Sequence, residues 1–157
     1  MEPSFAKLLA RLADAEVRFL VVGGIAVALN GYVRFTEDVD ILVEDSPENI
    51  RLMLASLATY GEGFACELTI EDFTDEEGAI RIVEETEGCQ IDVFTRMSGL
   101  RYADLIADAV PFEANGRLAQ HASRAALIRL KSGSVREKDR MDVAALTRLQ
   151  QDPRAFD

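Results

Sequence analysis

Apolar positions along the chain change period several times, and each change marks an element. Over residues 4–16, Phe5, Leu8, Leu9, Leu12 and Ala15 recur at helical spacing behind Ser4, which predicts an amphipathic helix capped by that serine. Residues 18–22 are short, almost uniformly apolar and end abruptly at Gly23-Gly24, the pattern of a buried strand; residues 25–29 suit a short helix. Residues 38–43 form a second apolar run that carries Asp38 and Asp40 and predict a second strand. Ser46 as cap and Pro47 in the first turn then open a helix, with Ile50, Leu52, Met53, Leu54, Leu57 and Ala58 on its apolar face. Residues 60–75 show no clear period and no element is predicted there; the acidic run 71–77 reads as a solvated face. Two strands at 79–84 and 90–94 follow, joined by a hairpin-like connection, then a short helix at 100–109. A last hairpin over 110–121 turns at Asn115-Gly116, Ser123 caps a helix ending near Gly133, and a final helix spans 136–150.

The candidate chemistry lies in residues 21–43. Glycines where a strand passes into a helix let the backbone turn tightly and let a ligand approach it, and the exposed N–H groups of the new helix favour an anion such as a phosphate. Asp38 and Asp40 are two apart, so in a strand both point to one face while Val39, Ile41 and Val43 point to the other. Carboxylates held side by side repel, so one takes a proton or a cation sits between them. A hard divalent ion that keeps its waters and also binds nucleotide phosphates suits such a pair. Taken singly, a Gly-Gly pair is commonly a turn and an Asp-x-Asp a solvated strand end; the two in order, with apolar flanks, favour the functional reading.

Val22-Gly23-Gly24, a spacer of thirteen residues and Asp38-Val39-Asp40-Ile41 together resemble the signature of the nucleotidyltransferase superfamily related to DNA polymerase beta. The spacer, and the later L-I-R-L-K followed by R-E-K-D-R-M-D, are similar to the small bacterial branch that includes nucleotidyltransferases of toxin-antitoxin and abortive-infection systems. The chain departs from that branch at Asn30, where His is common, and at Ala125, where Glu is common. The resemblance implies an α/β (α+β) fold, a mixed sheet of about five strands flanked by helices, which the alternating pattern permits. It places a core at about 16–113 and a helical part at about 123–150, within one domain spanning 1–157.

The resemblance also implies roles. Asp38 and Asp40 would bind Mg2+ (or Mn2+) shared with a nucleoside triphosphate, ATP foremost. Asp92, between two apolar residues, would be the third carboxylate, binding a second ion and activating an acceptor hydroxyl; the plain alternative is a strand-end acid facing water. Gly23, Gly24 and Lys131 would hold phosphates, with Arg136 and Lys138 in support. For Lys131 the alternative is a solvated lysine at a helix end. Arg34 and Thr36 align two residues apart and would orient phosphate or the acidic strand; Arg34 paired with a nearby acid such as Glu37 is the competing reading. Asp139 and Asp142 are expected to lock the last two helices together. The expected activity is transfer of a nucleoside monophosphate to a hydroxyl of a protein, a tRNA or a small molecule, within a toxin-antitoxin pair on the precedent of the branch. A non-catalytic antitoxin or regulatory module on the same fold is the alternative, and a nucleotide-sugar glycosyltransferase a weaker third.

Composition narrows these options. A chain of 157 residues with 48% hydrophobic content supports one well-buried domain. No apolar stretch is long enough to cross a bilayer and the start lacks the pattern of a secretory signal, so a cytoplasmic protein with no membrane partner is expected. Cys66 and Cys89 stand alone, without zinc-site spacing, and are expected reduced. His121, the one histidine, reads as a strand or turn residue. A net charge of -11 argues against an extended nucleic-acid footprint, although basic residues outnumber acids from Arg117 to Arg154 and leave a local anion site open there.

Overall fold

The computed structural model describes residues 1–74 and 76–157; Asp75, the last residue of the stretch without a predicted element, lies outside the described residues. Among these the chain forms a six-stranded mixed sheet: β1 (Phe19–Val22), β2 (Val39–Val43), β3 (Ile80–Glu84), β4 (Cys89–Phe94), β5 (Val110–Ala114) and β6 (Arg117–His121). Six helices accompany it: α1 (Pro3–Asp14), α2 (Gly23–Leu29), α3 (Pro47–Leu57), α4 (Tyr102–Leu105), α5 (Arg124–Lys131) and α6 (Glu137–Gln151). The expected α+β class holds, with six strands rather than about five because both arms of the last hairpin join the sheet.

The strand order is β3-β4-β2-β1-β6-β5. β1 pairs antiparallel with β2, β2 parallel with β4, and β4 antiparallel with β3. On the other side β1 and β6 run parallel through the single matched position Val21↔His121, and β5 and β6 form the closing hairpin. Central strands bury both faces: all four residues of β1 are buried, as are Val39, Ile41, Leu42 and Val43 of β2. This is why both read as nearly continuous apolar runs. α1 lays Phe5, Leu8, Leu9 and Leu12 into the core, at 0–4% exposure, which is the helical stripe seen in the sequence.

Caps and ends depart from expectation in specific places. Ser46 and Ser123 cap α3 and α5 as expected, their side chains accepting from the backbone N–H groups of Asn49 and Ala126. Ser4 does not cap α1: the helix opens at Pro3, whose fixed φ suits a first turn, and Glu2 precedes it without a side-chain cap bond. α2 begins at Gly23 itself, so the glycine pair lies inside the first turn rather than before it. The helix expected over 100–109 shrinks to α4 and a 3-10 turn, Ile106–Asp108, with Leu105 its one fully buried side chain. Residues 60–74 contain only two 3-10 turns, Phe64–Glu67 and Ile70–Asp72, which explains the missing period. No helix of the described residues is long and apolar enough to cross a membrane.

Candidate active site

Register assembles the site. Val22 of β1 lies opposite Asp40 of β2, Asp40 opposite Asp92 of β4, and Asp92 opposite Arg81 of β3. Residues opposite one another on adjacent strands project to the same face, so one row across four strands reads Val22, Asp40, Asp92, Arg81. Asp38 precedes β2 by one residue and shares the face of Asp40. One carboxylate oxygen from each of Asp38, Asp40 and Asp92 lies within 4.8 Å of the others. Asp92 is therefore not a strand-end acid facing water; it is 5% exposed and belongs to the cluster.

The glycines are required by this cluster. Gly23 has φ 67°, in the left-handed region, and a methyl group built on it would overlap the carboxylate of Asp40. A methyl on Gly24 would overlap the hydroxyl of Thr36 and crowd Arg34. The pair thus clears space for the β2 acid and for the extended segment before it. In that segment Arg34, Thr36 and Asp38 point inward while Val33, Phe35 and Glu37 are exposed, the alternation expected for Arg34 and Thr36.

All eight candidate residues line one cavity of about 180 Å³: Gly23 and Gly24, Arg34 and Thr36, Asp38 and Asp40, Asp92, and Lys131. Arg81, Arg136 and Lys138 join its wall. A larger cleft of about 650 Å³ shares Gly23, Asp40, Lys131 and Arg136 with it and continues between β4 and the last two helices past Phe94 and Met97. Acidic and basic side chains together, with Phe94 among them, make up the lining of the smaller cavity.

Two candidates are held differently from expectation. Arg34 does not pair with Glu37. Its Nε and Nη2 donate to the two oxygens of Asp142 at 2.8 and 2.7 Å, across 108 residues of sequence. Asp142 is fully buried, and its other partner is Lys131, 3.0 Å away. Lys131 also donates to Asp139 at 3.0 Å and is only 11% exposed in its side chain, so it is not a solvated helix-end lysine. Asp139 and Asp142 do lock α5 to α6, and they fix Lys131 at the cavity wall while doing so. Burial acts to raise both acids, but Ser134 and Lys131 hold Asp139, and Arg34 and Lys131 hold Asp142, below the usual carboxylate range.

The three clustered acids differ. Burial, then the charges of Asp38 and Asp92, push Asp40 up from 3.8 to about 7, against the pull of Lys131. Asp38 is also raised, by burial and by Asp92, although Gln90 Nε2 donates to its Oδ2 at 3.2 Å. Asp92 is lowered: burial opposes ionisation, but a forked contact from Arg81 outweighs it, Nε to Oδ1 at 2.9 Å and Nη2 to Oδ2 at 3.1 Å. Arg81 and Gln90 are partners of these acids that do not stand out in the sequence. Counting back from the β3–β4 turn, where Glu84 faces Cys89, would have placed Arg81 against Asp92.

Asn30 is buried and structural, its amide donating to the carbonyls of Ala26 and Ala122. His121 ends β6 at 4% exposure, and burial lowers its pKa; it stands apart from the acids. No protein-family model matches the chain, and no curated protein matches it.

Proposed function

We propose that the chain is a metal-dependent nucleotidyltransferase, moving a nucleoside monophosphate from a nucleoside triphosphate to an acceptor hydroxyl. One observation carries this reading: three carboxylates, aligned by strand register, share a polar cavity with a glycine turn and a buried lysine. The donor set is all carboxylate, with no histidine or cysteine among the three, and hard oxygen donors suit Mg2+ or Mn2+ rather than zinc. Asp38 and Asp40 would hold the ion, with Asp92 available to a second. When bound, such an ion would neutralise charge on the phosphate oxygens.

The chain's own residues divide the remaining work. Gly23 and Gly24 let phosphates approach the backbone, and first-turn amides of a helix have no partner within it. Lys131 places a fixed positive charge on the phosphate side, with Arg136 and Lys138 near it. Arg34 acts through Asp142 and Lys131 rather than by contact with phosphate, while Thr36 keeps its hydroxyl against Gly24. Asp92 is ionised at neutral pH and so is competent to accept a proton. The acceptor oxygen bonds to the α-phosphorus, the bond from that phosphorus to the bridging oxygen breaks, pyrophosphate leaves, and the hydroxyl proton passes to Asp92. A protein, a tRNA end or a small molecule all supply such a hydroxyl, and the toxin-antitoxin setting of the resembling branch makes a partner protein or tRNA the first acceptors to try.

Calorimetric titration with ATP, with and without Mg2+, paired with pyrophosphate release in the presence of protein, tRNA and small-molecule acceptor pools, tests this. The expected result is Mg2+-dependent binding and release, both lost in Asp38→Asn/Asp40→Asn. Binding without release from any pool would replace the enzyme with the non-catalytic module.

A further inference from the structure

The acid cluster already has a cation of its own. Arg81 sits on the edge strand β3 with 59% of its side chain exposed, while the Asp92 side chain it grips is 7% exposed. Its fork uses both oxygens of Asp92, and its Nη2 lies 3.8 Å from Asp38 Oδ2. The guanidinium therefore spans two of the three acids that would receive a divalent ion. The side of a carboxylate that accepts an arginine fork is also the side a metal prefers, so the two compete for the same lone pairs.

Arg81 also has somewhere to go. It lines the same cavity as Gly23, Gly24 and Lys131, where phosphates would lie, and phosphate accepts a guanidinium fork as readily as carboxylate does. Lys131, by contrast, is held by Asp139 and Asp142 and does not reach into the acid cluster by hydrogen bond or ion pair.

We propose that Arg81 is the resident counter-ion of the Asp38–Asp40–Asp92 cluster and makes divalent-cation binding depend on a nucleoside triphosphate, whose phosphates take over the guanidinium. This rests on the metal-site reading above and adds to it an order: the cation alone competes with Arg81, and the cation with triphosphate does not. Arg81 is thus a positioning residue whose effect shows in binding, before any turnover.

The test is Mn2+ binding to the full chain, followed by electron paramagnetic resonance of the free ion, with and without a non-hydrolysable ATP analogue. The wild type is compared with Arg81→Gln, Arg81→Lys and Asp38→Asn/Asp40→Asn, each checked for folding by circular dichroism. Without nucleotide, Arg81→Gln should bind Mn2+ roughly fivefold to a hundredfold more tightly than the wild type, the usual span of coupling between two ligands, and the gain on adding the analogue should shrink. Arg81→Lys, which keeps the charge without the fork, should fall between them. Equal or weaker Mn2+ binding by folded Arg81→Gln, with wild-type binding abolished by Asp38→Asn/Asp40→Asn, overturns the role of Arg81 and leaves the metal site standing. If no variant shows Mn2+ binding sensitive to Asp38→Asn/Asp40→Asn, the metal site falls and this inference with it.

Discussion

Gly23 and Asp40 constrain each other, and each yields a measurable consequence. Replacing Gly23 by Ala forces a left-handed backbone on a residue with a side chain, which alone costs about 1–3 kcal/mol, and drives the methyl into the Asp40 carboxylate. Urea denaturation of Gly23→Ala should show at least that loss, with ATP binding weakened beyond what the stability change explains. Asp40 gives a pH signature. Its pKa rises from 3.8 to about 7 on folding, so the folded chain holds a proton that the unfolded chain has released, and stability from this group falls as pH rises through that window. In metal-free buffer the melting temperature of Asp40→Asn should gain on the wild type from pH 4 to about pH 7 and level off above it. A constant offset across that range would show that Asp40 titrates normally.

The joint between α5 and α6 is an element built around one buried acid. Asp142 carries both Arg34 and Lys131, so Asp142→Ala strands two cations at once and should cost roughly 3–5 kcal/mol, as breaking a buried ion pair does. Adding Arg34→Met to that variant should recover part of the loss, a non-additivity that a double-mutant cycle in urea would measure. How far such links were legible depends on their range. The glycine turn, the β2 acids and the alternation of Arg34, Thr36 and Asp38 are local and follow from period alone. The Arg34–Asp142 pair joins positions 108 residues apart, and no local pattern distinguishes Asp142 from Glu37 as the partner. Arg81 was readable in principle from the hairpin count, but its strand alternates so weakly, with Val83 exposed beside buried Glu84, that its facing was not evident. Residues 60–74 gave no signal because short 3-10 turns carry none.

At the scale of the whole molecule, charge and topology separate the two sides of the cleft. Asp40 and Asp92 stand on β2 and β4 and Asp38 just before β2, whereas Lys131, Arg136 and Lys138 come from the helical segment that follows β6. The chain as a whole is acidic, at -11, so the basic rim is a local exception set against a repelling body, suited to an anionic group that touches the protein over a small area. Between the two sides the sheet is joined at the short parallel β1–β6 pair, with Val21 matched to His121 and the Ala122 N–H donating to Val21 O at 2.9 Å. That narrow join behaves as a seam with opposite charges on its two banks, and a phosphate reaching from the glycine bend to Lys131 would act as a clasp across it. Deuterium uptake at the Ala122 amide should accordingly slow when a triphosphate is present, while amides inside β2 and β4, already stitched along their length, stay as they were.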